Sequence, residues 1–520
     1  MFELDRRLFL KGAGAAAVTP IIGSLATLHH PAHAATQGGS IVIGVPESFG
    51  SLDPFRRIGR LDYNAVINIL DTLVTYGADS IPAPGLAESW ERSDDLTWRF
   101  QLRPDVVSTD GTPMDAEAVK FSFDKIREGN FASQFARIES VDVISPTEFE
   151  IKTTESFPTL LVELAQQYAS MISPAAFEAA GDGFGRMPIG SGPFKIDSLE
   201  PNSELVMSRN ENWWGRDADG NALPYLDSVT WRVLPDNETA ALALQTGEID
   251  FLYSLPTALA PSMMGNSDIT VSSAPTYGWQ YMFFHCEQPP FDNVHVRRAV
   301  QLAIDRQAIA DAVSFGTAIP CLGPITPSSW AYDADNPGGG FVGSAPDLDA
   351  ARAELAEAGM EDGFAFTMIH PTFPELSAMA QALQAQLAEI GIEVTLEGKE
   401  IGAVLDNLFA SDFTGLLIDW SGRIDEALVF GSFFRSDGGN NFGKFADPAL
   451  DEVIDKAATA PTIEERAALY QEAEAMVMQG SPLAWVLVPS EIKAMSSNVT
   501  GFVNQGDLRL RAWTITRSES

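Results

Sequence analysis

Residues 364–396 read FAFTMIHPTFPELSAMAQALQAQLAEIGIEVTL and contain one complete strand–helix–strand unit. Phe364 to Ile369 is a short apolar run of strand length. Leu376, Met379, Ala380, Leu383 and Leu387 then recur at helical spacing, and Gly391 stops the helix. Ile392 to Leu396 is a second strand. The pattern continues on both sides. Asp347 to Ala358 reads as a helix stopped by Gly359, and Leu416, Leu417 and Ile418 within DFTGLLIDWSGRID (412–425) make a further buried strand. Strands alternating with helices predict an α/β lobe with neighbouring strands in a mixed or parallel sheet. Glu464 to Met478 is another amphipathic helix, and Pro482 to Val488 is apolar and extended.

The strand at 416–420 ends at Ser421-Gly422, a turn dipeptide. Around that break stand Trp420, Arg423 and Asp425: a flat apolar surface, a cation and an anion. Open α/β sheets place small-molecule sites at such strand ends. The same residues also fit a structural reading. Trp420 then belongs to the core, Arg423 is a solvated charge, and Asp425 caps a helix beginning Glu426-Ala427-Leu428.

A chain of 520 residues exceeds one ordinary core, so two or three domains are expected. The first residues carry an export pattern: Asp5-Arg6-Arg7-Leu8-Phe9-Leu10-Lys11 is twin-arginine-like, a mildly apolar run follows, and Ala32-His33-Ala34 fits a cleavage site. Pro20 breaks the apolar run, which argues against a retained span. The expected mature protein starts near Ala35 and is soluble and exported. A net charge of −38 with scattered acids leaves no cationic stripe for phosphate, so nucleic acid and anionic lipid are excluded as partners. Two cysteines, Cys286 and Cys321, leave both a disulfide and two buried thiols open. Neither CxxC nor HxxxH spacing accompanies them, so no metal site is expected.

Towards the N-terminus, Ile41 to Val45 is a first strand running into a loop with Phe49, which either lines a cleft or packs a structural turn. Between residues 86 and 126, Trp98, Phe100 and Leu102 alternate with polar residues as a strand with one dry face. Asp94-Asp95 and Asp110-Gly111-Thr112-Pro113 are turns, and Asp115 caps a helix carrying Ala116, Val119, Phe123 and Ile126.

This block resembles the signature region of the family 5 extracellular solute-binding proteins of ABC importers, the dipeptide- and oligopeptide-binding group. Ala87, Glu88, Trp90, Asp95, Leu96, Phe100, Leu102, Arg103, Asp110, Gly111, Pro113, Ala116 and Val119 match its pattern. Ser108-Thr109, Asp115 and Ala118 depart from it within a loop and a cap. Further matches are Pro188–Phe194, Asn212–Gly215, Tyr225–Asp227, Gln245–Asp250 and Pro290-Phe291 followed by Val296–Arg306. The resemblance thus covers nearly all of the mature chain. It implies a two-lobed periplasmic-binding-protein fold with mixed sheets and an extra subdomain in the first lobe. The implied segments are a signal peptide at 1–34, lobe I at 35–84, 188–281 and 495–520, the extra subdomain at 85–187, and lobe II at 282–494.

No HExxH, G-x-S-x-G or P-loop pattern occurs, so neither a catalytic group nor a cofactor is expected. The resemblance implies a periplasmic receptor that captures a di- or oligopeptide, or a peptide-like amino-acid conjugate such as an opine or glutathione, and delivers it to ABC permease subunits. The receptor is expected as a monomer. A secreted peptide-processing hydrolase or a peptide-holding chaperone is the alternative. Burying a zwitterion requires opposite charges in the cleft. In peptide-binding relatives an Asp after a W-x-G turn takes the ligand's amino group. The matching residues here are Trp420, Gly422 and Asp425, with Arg423 as carboxylate partner. Glu426-Ala427 departs from the Pro-Asp that often follows. Tyr277, Trp279 and Tyr281 stand where relatives cross between lobes and either wall the ligand or pack the hinge. His285, where Asn is usual, either meets the ligand and makes affinity depend on pH near 6–7 or is a satisfied histidine.

Overall fold

Every side chain of the strand Trp279–Phe284 is buried, because the strand lies inside a six-stranded sheet covered on both faces. Trp279, Tyr281 and Phe283 enter one apolar core, while Met282 and Phe284 enter the other, as a side-chain period of two requires. Across the sheet the order is Ile319–Pro320, Leu483–Val488, Trp279–Phe284, Gly415–Trp420, Phe364–Pro371 and Ile392–Lys399. The last three are parallel to one another. Trp279–Phe284 runs antiparallel to both of its neighbours, so the sheet is mixed. Between two parallel strands the helix Pro374–Ala388 buries Leu376, Met379, Ala380, Leu383 and Leu387, the stripe read from the sequence.

This computed structural model describes residues 37–518 apart from Ala78 and Pro461, so the export signal expected at 1–34 lies outside the described residues. A second sheet has seven strands in the order Ile269–Pro275, Ser490–Ser496, Phe251–Leu252, Ser40–Val45, Ser228–Val233, Glu204–Arg209 and Phe194–Glu200. Ser40–Val45 is parallel to both of its neighbours. A third, antiparallel sheet joins Ala87–Arg92, Thr97–Leu102, Glu148–Thr153 and Ile138–Ser145. The helix Ala116–Glu128 accompanies it, with the Asp115 carboxylate accepting from the N–H groups of Glu117 and Ala118. Phe100 and Phe149 of this sheet share one continuous core with Ile43 and Trp231 of the seven-stranded sheet. The four-stranded sheet is thus packed against the seven-stranded one.

The chain passes between the two large sheets twice, side by side. Ile269–Pro275 pairs with Ser490–Ser496 in one sheet, and Trp279–Phe284 pairs with Leu483–Val488 in the other. The Thr276 N–H donates to the Pro489 carbonyl at 2.9 Å in the gap between them. The crossings fall at residues 276–278 and at Pro489, because Trp279 already pairs with Trp420 and Ser490 already pairs with Pro275. Cys286 and Cys321 are free thiols. Among the described residues no helix is long and apolar enough to cross a membrane.

Candidate functional site

A cavity of about 630 Å³ opens where the two lobes meet at the crossings. Its second-lobe wall is the turn that follows the strand Gly415–Trp420. Gly422 has φ +81°, and a Cβ there would stand 2.2 Å from the carbonyl carbon of Tyr277. A Cβ on Gly278 would stand 1.9 Å from the Trp420 carbonyl oxygen. The two glycines let the turn lie directly on the crossing strand. Trp420, Ser421, Gly422, Arg423 and Ile424 thereby face the cavity, with Tyr277 at its base.

The first-lobe wall comes from four distant segments, one of them Phe131 and Gln134. Arg57 to Tyr63 span the start of the helix Arg60–Val66, Glu163 to Tyr168 span the end of the short helix Leu160–Leu164, and Asp507 to Arg509 come from the C-terminal return. Two buried asparagines fix that return. Asn64 donates to the Leu508 carbonyl at 3.0 Å and accepts from the Leu510 N–H at 2.6 Å. Asn68 donates to the Leu510 carbonyl at 2.8 Å and accepts from the Ala512 N–H at 2.9 Å. Both mimic a strand partner, so the loop carrying Arg509 is held without a sheet.

The site is polar and its charges are unequally engaged. Arg423 is exposed, donates to its own turn at the Gly422 carbonyl and lies 5.8 Å over the Trp420 ring. Arg509 is buried, donates to the Ala165 carbonyl and Gln166 Oε1, and lies over the rings of Tyr63 and Tyr76. Burial works against the charge on Asp507, but Arg511 at 2.5 Å and then Arg509 hold its carboxyl below the usual carboxylate range. Burial pushes the Glu163 carboxyl up, against the hydrogen bond it accepts from the Tyr168 hydroxyl and the positive field of Arg423 from the opposite lobe. Burial likewise pushes the Tyr277 phenol up to about 12, and its hydroxyl is hydrogen-bonded to that of Ser80.

Of the residues singled out in the sequence, Trp420, Gly422, Arg423 and Tyr277 meet at this cavity. Asp425 sits behind the wall, 1% exposed. Its Oδ1 accepts from the Ala427 N–H at 2.9 Å, capping the helix Glu426–Phe433, and from Arg466 Nη2 at 2.7 Å. Trp279 is fully buried, donates Nε1–H to the Pro324 carbonyl at 3.0 Å and backs Trp420 with ring centroids 4.8 Å apart. Tyr281 lies in the same aromatic core. His285 follows the far end of that strand, about 20 Å from Trp279 at the usual rise per residue. There it packs on Phe413. Phe49 is core, edge-on to Trp231 at 6.4 Å. The structure thus does not bring Trp279, Tyr281, His285 or Phe49 to the cavity surface. The sequence reading missed Arg57, Arg60, Tyr63, Glu163, Tyr168 and Arg509. None of them sits at a turn-and-charge signature, and only the tertiary fold gathers them.

Two lobes joined by a pair of adjacent crossings, with a polar cleft over the hinge, define a two-lobed solute-binding protein. Residues 82–442 match the bacterial extracellular solute-binding proteins, family 5 Middle. The chain belongs to this family. It is 29% identical to the glutathione-binding protein GsiB of Salmonella paratyphi A over 492 residues, covering 89% of this chain and 91% of that protein. Among solved structures it is similar to the periplasmic murein tripeptide binding protein MppA in its unliganded open form, with TM-score 0.83 and 21% identity over 93% of this chain and 98% of that one. A second is DppA from Helicobacter pylori in complex with the peptide STSA, with TM-score 0.71 and 23% identity over 93% and 99%. These relatives are binding proteins.

Proposed function

We propose that this protein is the receptor of an ABC importer, exported to the periplasm through a twin-arginine signal. It captures a di- or oligopeptide, or a peptide-like amino-acid conjugate, and hands it as a monomer to permease subunits. The observation that carries this reading is the placement of the cavity. Its walls belong to different lobes and its floor is the crossing itself, so a solute bound there couples directly to closure. The names of GsiB and of the peptide-bound DppA support the ligand class.

The ligand's carboxylate is assigned to Arg423, and its apolar body to the faces of Trp420 and Tyr277. Asp425, the sequence's candidate for the ammonium, stands behind the Arg423 turn, capping a helix and paired with Arg466, and takes no direct ligand contact in this reading. Mass spectrometry of the protein under native conditions, as purified, tests the reading together with thermal melts against a peptide panel. A true ligand at a hundredfold excess over Kd adds about 2.7 kcal/mol of stability and is recovered intact. Recovery of cleaved peptide favours the hydrolase alternative instead.

A further inference from the structure

Four arginines, Arg57, Arg60, Arg423 and Arg509, line the cavity between the lobes. The whole chain has 33 basic residues against 71 acidic ones, so this cavity reverses the sign of its surroundings. The carboxylates among its lining residues are Glu163 and Asp507. Asp507 is taken up by Arg511 and Arg509, and Glu163 accepts from Tyr168. Among the described residues Arg57, Arg60 and Arg423 form no ion pair. Arg509, 6% exposed, lines the same cavity, and its Nε lies 3.8 Å from Asp507 Oδ2, within ion-pair reach but too far for a hydrogen bond.

A simple zwitterion brings one carboxylate and one ammonium and leaves this cavity with surplus positive charge. A solute with several carboxylates balances it, and guanidinium–carboxylate pairs gain strength as the cleft excludes water. The arginines also lie on both walls: Arg57, Arg60 and Arg509 on the first lobe and Arg423 on the second. A polyacid spanning the cleft therefore draws the lobes together, whereas a cation is repelled from both. The geometry points to a net-negative solute carrying at least two carboxylates, gripped by Arg423 from one lobe and by Arg57, Arg60 and Arg509 from the other. This assignment rests on the receptor reading above.

The test is calorimetric binding of triglutamate, glutathione, trialanine and trilysine to the full-length mature protein at low and high salt. Triglutamate or glutathione is expected to bind at least about tenfold tighter than trialanine, to weaken with salt, and to leave trilysine unbound. Arg423→Gln and the double variant Arg57→Gln/Arg60→Gln are each expected to weaken the acidic probe by about tenfold or more, with the unliganded melt unchanged. Trialanine or trilysine binding as tightly as the acidic probes overturns the charge assignment and leaves the receptor reading standing. Acidic probes that bind equally well to these variants overturn the roles of the arginines. A cooperatively melting protein that binds none of the four overturns the charge assignment, while the receptor reading is decided separately by the co-purifying solute and the peptide panel above.

Discussion

Gly422 rests on Tyr277 so closely that a Cβ on the glycine would fall 2.2 Å from the tyrosine carbonyl carbon. The backbone of Gly422 also has φ +81°, a region that L-residues occupy at a cost of roughly 1–2 kcal/mol. Gly422→Ala is therefore expected to lower stability by more than that conformational cost and to disturb the hinge as well. Chemical denaturation measures the first effect, and ligand-induced change in scattering radius measures the second. A variant with parental stability and parental closure contradicts the contact.

Asp425 and Arg466 form a buried ion pair at 2.7 Å, with side chains 2% and 14% exposed. Removing one partner of such a pair strands the other, at a cost of about 3–5 kcal/mol, and Asp425→Ala also removes a helix cap worth about 1 kcal/mol. The unliganded protein should therefore melt much earlier. Asp425→Asn keeps an acceptor for the Ala427 N–H and should lose less. A double-mutant cycle with Arg466→Met isolates the pair, and a coupling near zero contradicts it.

Behind this pair, burial pushes the carboxyl of Glu426 up to about 8, against the Ser329 hydrogen bond, with the charges of Asp425 and Glu474 adding to the rise. Burial likewise pushes Glu474 up to about 8, against hydrogen bonds from the backbone of Ile325 and Gly338. In the unfolded chain such groups ionise near their ordinary value of 4.5. Between pH 4.5 and 8 the folded state therefore holds protons that the unfolded chain has lost. The native state then loses stability as pH rises through that window, and the loss levels off above it. Glu426→Gln should gain on the parent as pH climbs from 5 to 8. A stability difference independent of pH in urea titrations contradicts this assignment.

His285 offers a contrasting case. As a residue of the ligand site it would make affinity follow pH near 6–7. The structure buries its ring beside Phe413, where burial pulls its pKa down, at the end of the strand away from the crossing. His285→Gln should leave solute affinity and its pH profile unchanged in calorimetry. A flattened profile returns the histidine to the site.

Much of the architecture was legible because it repeats local rules. The strand–helix–strand run at 364–396 has one apolar period per element, and Gly391 ends its helix where the positive φ demands it. The site was legible only along one turn. Trp420, Gly422 and Arg423 stand together in sequence and in space. Arg60, Glu163 and Arg509 are far apart in sequence, and Arg509 meets Arg60 because Asn64 and Asn68 pin the C-terminal return against the first helix. Aromatic residues in the crossing strand carried a further ambiguity. Tyr277 and Trp279 are two apart, yet the peptide turns between them. Tyr277 reaches the cavity, and Trp279 becomes a core residue paired with Trp420.

The most direct measurement is a crystal structure of the protein with a solute that co-purifies or binds by calorimetry. The solute is expected between the Trp420–Ile424 turn and the Glu163–Tyr168 segment, with an acidic group on Arg423 and another on Arg57, Arg60 or Arg509. A solute seated in any other cavity, with those arginines left facing water, contradicts the account.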